Sequence, residues 1–200
     1  MNMMRFTTMK TKLRKYPSIF LILLLAIFSC FLTGCVNQHP KDSKKSSQGE
    51  SVETMLEITD PKEKQAVLNA KAKVKALSGN PRIVATSPAV ADICDKLDLD
   101  LVGVPKSSVS KIPSRYKKVK KVGLAMSPDM EIVSSLNPDW ILAPSSLETD
   151  LKPKFEELKN TEYAFLNLRS VQGMYRSVQE LGEIFGKQQE AEKMTKEFTT

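Results

Sequence analysis

From Arg82 onward, short β-branched or apolar runs alternate with stretches of helical period. RIVAT (82–86), LVGV (101–104), DWILAP (139–144) and YAFLNL (163–168) have the length of strands. Runs without polar alternation suit strands covered on both faces. The intervening segments supply the cover. Ser87 and Pro88 open a helix through Lys96, in which Val90, Ile93, Cys94 and Leu97 share one face at i, i+3, i+4 and i+7. Ser127 caps a second helix, with Pro128 in its first turn, running to Leu136; a third lies around Asp150–Leu158. Val171, Met174, Tyr175, Val178, Leu181 and Phe185 form the apolar stripe of a fourth. A fifth starts near Lys187, with Ala191, Met194 and Phe198 on one face. Ahead of the first strand, KEKQAVLNAKAKVKAL makes a moderately amphipathic helix. Asp60 caps it, Pro61 fills the first turn, Glu63 sits at the capping-box position and Gly79 stops it.

Strands alternating with helices predict an α/β fold, a parallel sheet flanked by helices. Ligands of such sheets bind beyond the C-terminal ends of the strands. Three loops leave those ends: Thr86-Ser87-Pro88, Pro105 onward and Pro144 onward. Residues 105–123 carry neither period and read as irregular.

The first 34 residues have another character. Arg5, Lys10, Lys12, Arg14 and Lys15 form a basic region without acids. An apolar run from Ile19 to Leu32 follows, interrupted only by Ser29 and shorter than the about 20 residues of a spanning helix. It ends in Leu32-Thr33-Gly34-Cys35. This order fits a cleaved signal peptide of residues 1–34. Its end resembles a bacterial lipobox, in which the cysteine, here Cys35, receives a lipid and becomes the mature N-terminus. Residues 35–59 are largely polar and read as a flexible tether, leaving 60–200 as the folded domain.

The leader changes the meaning of the charge. The chain carries 30 Lys and Arg against 23 Asp and Glu, a net +7 that invites a nucleic-acid reading. Without its five leader cations the mature protein is nearly balanced, and an exported lipoprotein does not meet nucleic acid. Five cations fall within Arg115–Lys121, which read as a solvated loop ahead of a patch for anionic lipid or an anionic ligand. Of three cysteines, Cys30 leaves with the leader and Cys35 is lipidated, so Cys94 has no intrachain disulfide partner. Its place on an apolar helix face makes it an inert core thiol.

Candidate chemistry is sparse. The one histidine, His39, lies in the tether, which argues against imidazole catalysis and a histidine-based zinc site. Neither common Gly-rich phosphate loop is present. Asp92, Asp95, Asp98 and Asp100 are spaced for a solvated helix face and the turn after it. Trp140 lies in an apolar strand and belongs to the core. Met126, just ahead of the Ser127-Pro128 pair, has two readings: packing under a loop, the usual use of methionine, or a soft ligand projecting from the rim.

Three stretches, RIVATSPAVADICDKLDLDLVGVP, IPSRYKKVKKVGLAMSPDMEIVSSLNPDWILAP and MYRSVQELGEIFGKQQEAEK, resemble substrate-binding lipoproteins of iron-compound ABC importers. The likeness covers Arg82 to Thr200 and is strongest to heme-binding lipoproteins of the iron-regulated surface determinant systems. The VG…PDMEIVSSLNPDW pattern recurs in siderophore and cobalamin receptors, so it marks the superfamily; GLAMSPD is the ligand-specific part.

The resemblance implies the N-terminal lobe of a class III substrate-binding protein, a non-catalytic receptor for b-type heme. Met126 aligns with an axial iron ligand, and Met with His is a known axial pair. The resemblance further implies that Ser87, Pro88 and Ala89 open a helix receiving a heme propionate, with Ser107, Ser108 and Ala125 beside the cleft. An aromatic stands at the matching position of the heme members, so Ser108 departs from their pattern. Glu131 matches a glutamate that pairs with permease arginines. The implied partners are an ABC permease, upstream cell-wall heme-transfer proteins and, through the lipid anchor, the extracytoplasmic face of a Gram-positive cell membrane. In the family a C-terminal lobe after a long helix supplies the partner histidine, and this chain stops inside that helix, which reads as a fragment or an early-ended frame. The alternatives are a ferric-siderophore or corrinoid receptor, a lipid-anchored enzyme, and an interaction module or remnant without ligand.

Overall fold

The computed structural model describes residues 60–197. The leader, Cys35, the tether with His39, and Phe198 lie outside those residues. The elements in chain order are α1 (Pro61–Lys75), β1 (Ile83–Ala85), α2 (Pro88–Lys96), β2 (Leu101–Val104), a 3-10 turn (Ser114–Tyr116), β3 (Lys120–Lys121), β4 (Gly123–Leu124), β5 (Ser127–Pro128), α3 (Met130–Ser135), β6 (Trp140–Pro144), a second 3-10 turn (Ser145–Leu147), α4 (Glu148–Glu156), β7 (Glu162–Leu166), α5 (Val171–Phe185) and α6 (Gln188–Glu197).

Five strands form one parallel sheet in the order β3-β2-β1-β6-β7. The expected α/β architecture is therefore present. The central strands are apolar on both faces because both faces are covered. Ile83, Ala85, Trp140 and Leu142 point into one core with Val90, Cys94, Leu97, Val178, Leu181 and Ala191. Val84, Ile141 and Ala143 point into the other, against Val133, Leu151 and Phe155. The alternation of neighbouring residues between two cores is the period-two geometry of a strand. Trp140 is 4% exposed and meets the Phe185 ring edge-on at 5.6 Å. Gly103 lets α3 close on the sheet: a Cβ there would lie 2.8 Å from Leu136 Cδ1 and from Val122 Cγ1.

Helix α2 begins as expected, with the Ser87 hydroxyl accepting from Val90 N. Its Cys94 is fully buried, and loss of hydration raises the thiol pKa to about 12, so it stays a neutral core residue.

Five expectations need correction. Helix α3 is capped by Asp129, whose Oδ1 accepts from Glu131 N and Ile132 N at 3.1 Å each. Ser127 and Pro128 instead pair antiparallel with Leu124 and Gly123. Asp60 does cap α1, through Lys62 N at 2.8 Å, but Glu63 leaves the capping box to pair with Arg176 on α5 at 2.7 Å. That helix ends at Lys75 with Ala76 as C-cap, before Gly79. The aspartates after α2 are not a purely solvated face. Asp98 and Asp100 each accept from Arg115 at 2.9 Å, Asp95 lies 3.8 Å from its Nε, and Lys187 reaches Asp98 at 3.0 Å. These cations hold the Asp98 carboxyl below the usual carboxylate range. Finally, Val171 is 63% exposed, so the buried stripe of α5 starts deeper, with Tyr175, Val178, Leu181 and Ile184.

Candidate functional site

All the sheet strands run the same way, so their C-terminal ends share one rim, as parallel pairing requires. Ser87, Pro88 and Ala89 follow β1. Ser87 is 6% exposed, and its hydroxyl is occupied in accepting from Val90 N. Pro88 has no N–H to offer. Ala89 is exposed and its N–H lies in the first turn, where no carbonyl of the helix can receive it. Ser107 and Ser108 follow β2. The Ser107 hydroxyl accepts from Ser110 N at 3.0 Å, and Ser108 is exposed.

Met126 occupies the two-residue turn of the β4–β5 hairpin, with Ala125 before it. The hairpin is rooted beside β2 at two points and closed at its base by a third bond. Val122 N donates to Val104 O at 2.9 Å, Lys106 N to Gly123 O at 2.6 Å, and Asp129 N to Val122 O at 2.7 Å. Gly123 sits at φ +98, a left-handed conformation, and a Cβ there would lie 2.9 Å from Asp129 N. The hairpin thus leaves the C-terminal end of β3 and returns to the start of α3, which puts Met126 on the rim. Met126 is 74% exposed and Leu124 59%. Met130 and Met174 are half-buried, and Met194 is 5% exposed. Glu131, in the first turn of α3, is exposed, while Val133 of that helix is buried and Ile132 and Leu136 are half-buried.

The sequence pattern missed two parts of this rim. One is the hairpin, signalled by a glycine five residues ahead of a Pro-Asp pair. The other is the loop from β7 to α5, where Asn167 N donates to Ser177 Oγ at 2.9 Å and the Ser170 hydroxyl accepts from Gly173 N at 3.0 Å. Ser170 ahead of an apolar stripe was a legible helix cap. With these loops included, Val109, Leu124, Met126 and Val171 all fall on the rim, and all are large hydrophobics in solvent. Two cavities, of about 410 and 240 Å³, lie at the opposite end of the sheet, beside Pro138-Asp139 and beside Pro81 and Asp100. Among the described residues no group of three or more His, Cys, Asp or Glu could hold a metal ion.

A family model described as periplasmic binding protein matches residues 83–199, which include every strand and the whole rim. The chain belongs to the periplasmic binding protein family. Over 117 residues it is 36% identical to the high-affinity heme uptake system protein IsdE of Staphylococcus aureus, a match covering 58% of this chain and 39% of that protein. The chain therefore spans less than half the length of the curated relatives it matches. An ABC transporter substrate-binding protein of Listeria monocytogenes EGD-e has a solved structure that is 45% identical, with a TM-score of 0.58 over 60% of this chain and 46% of that one. The structure of S. aureus IsdE complexed with heme is 34% identical, with a TM-score of 0.57 and the same coverage. The siderophore-binding protein BauB, at 24% identity and a TM-score of 0.53 over 62% of this chain and 46% of that one, shares the fold.

Proposed function

We propose that the chain forms the N-terminal lobe of a lipid-anchored, non-catalytic receptor that captures heme and hands it to an ABC permease for iron acquisition. Met126 supplies its thioether to the heme iron. The observation that carries this reading is the exposure of that side chain on a hairpin turn at the rim. A gap-filling methionine gains stability only by being covered. A ligand has to project, and a hairpin tied beside β2 at two backbone positions and closed at its base holds it in place. The likeness to a heme uptake protein supports heme ahead of a siderophore or corrinoid, because the siderophore-binding relative at 24% identity speaks only to the fold.

Other residues take supporting roles. The Ala89 N–H, at the mouth of α2, is the donor in the Ser87-Pro88-Ala89 turn for a heme propionate. Ser107, Ser108 and Ala125 flank the porphyrin. Glu131 docks the lobe on a cationic permease surface, and lipidation at Cys35 holds the receptor on the extracytoplasmic face of a cell membrane. No helix among the described residues is long and apolar enough to cross a membrane. The second axial ligand is not a histidine of residues 60–197, since the one histidine of the chain is His39.

Hemin titration followed by the ultraviolet–visible spectrum tests the ligand class. A heme receptor gives a sharpened, shifted Soret band. A chain that leaves the hemin spectrum unchanged but binds a ferric siderophore would place the receptor in the other branch.

A further inference from the structure

We infer that the β3 edge of this lobe is a docking surface for an anionic phospholipid membrane. Residues 60–197 carry 22 Lys and Arg and 19 Asp and Glu, yet between Leu101 and Pro128 there are seven cations and no acid. The rest of the domain is therefore net negative, and the positive charge is segregated onto one segment. The fold keeps that segment together. Residues 105–119 lead from β2 into β3, the outermost strand of the sheet, and β3 pairs with β2 through Gly103↔Lys120 and Val104↔Lys121. Arg115 is turned inward onto Asp98 and Asp100. Lys106, Lys111, Lys117, Lys118, Lys120 and Lys121 are all exposed. Lys120 and Lys121 point to opposite faces of the strand, and both stay in solvent because no helix covers this edge.

Lysines on an edge strand also prevent sheet-to-sheet pairing. That need is met by the two on β3 and leaves the other four unexplained. A cationic edge whose neighbouring carboxylates, Asp98 and Asp100, are already paired with Arg115 is the electrostatic complement of an anionic headgroup surface.

The test uses the full chain with excess vesicles of phosphatidylcholine, alone or with about one-third phosphatidylglycerol. Lysine acetylation is read residue by residue by mass spectrometry. Lys62, Lys64, Lys152 and Lys154, which lie outside the edge, are internal references that cancel any association through the leader. The expected result is that Lys117, Lys118, Lys120 and Lys121 react several-fold more slowly on the anionic vesicles alone, with the difference lost at about 1 M salt. Lys118→Ala and Lys121→Ala should each weaken anionic-vesicle association roughly fivefold at low salt, with the circular dichroism unchanged. Equal reactivity on both vesicles, or equal slowing of the reference lysines, overturns the proposal. So does protection by soluble poly(glycerol phosphate) without protection by vesicles, which would assign the edge to an acidic polymer.

Discussion

Truncating Met126 and Met194 to alanine in the heme-free protein separates a projecting methionine from a packed one. Fully burying a side chain of this size contributes about 1.5–3 kcal/mol relative to leaving it in solvent. With Met126 74% exposed, about a quarter of that is at stake, roughly 0.4–0.8 kcal/mol. Met194 is 5% exposed, in the core that also holds Ala191, Leu181 and Cys94, so its removal also leaves a cavity. The expected cost there is about 2–5 kcal/mol. At about 2–4 °C per kcal/mol for a domain of this size, Met126→Ala lowers Tm by about 1–3 °C and Met194→Ala by roughly 4–20 °C. Thermal unfolding followed by circular dichroism without heme measures both. Equal losses in the two variants would mean that Met126 is a packing residue and that the hairpin tip is covered in solution.

Replacing Cys35 with alanine should abolish incorporation of radioactive fatty acid; equal label in mutant and wild type would refute the lipid anchor. Glu131→Lys should leave hemin binding intact and reduce cellular heme uptake by like-charge contact with the permease, and unchanged uptake would remove Glu131 from that contact. Burial and the neighbouring Glu63 carboxylate raise the Glu180 pKa to about 7, against the opposing pull of Arg176. The folded state therefore binds a proton that the unfolded chain has already lost. This contribution is full below about 4.5 and is lost as pH rises through about 7. Tm should fall between those values, and Glu180→Gln should flatten the slope; an unchanged slope in the variant would assign it to other groups.

The sheet was legible because its evidence is local. LVGV has strand length and no polar position, and β2 occupies those four residues. Ser87-Pro88 ahead of an i, i+3, i+4 stripe marked both the cap and the buried face of α2. The parts that misled depend on distant partners. Ser127-Pro128 has the composition of a helix start, and the same pair also fits a short strand. What decides is Gly123, whose left-handed backbone turns the chain into a hairpin, and the Asp129 N–H bond to Val122 O. Glu63 stands where a capping box needs it, but Arg176, 113 residues later, takes its carboxylate. Asp98 and Asp100 read as solvated because Arg115 could not be seen to fold back on them. For the site, the family resemblance named Met126 and Glu131, and the residues alone left open whether the methionine was packed or projecting. That was a question of exposure, which no periodicity in a six-residue loop encodes.

In the proposed receptor the side chain at position 126 bonds the heme iron. Exchanging the ligand tests this more directly than deleting it. Met126→His presents an imidazole from the same exposed turn, so hemin should still bind, with a different Soret spectrum and a lower reduction potential, because a thioether favours the reduced iron more than an imidazole does. Met126→Ala should lose the wild-type spectrum without gaining the new one. If wild type, Met126→His and Met126→Ala give the same hemin spectrum and the same potential, the iron is not bonded at Met126 and the account fails at its centre.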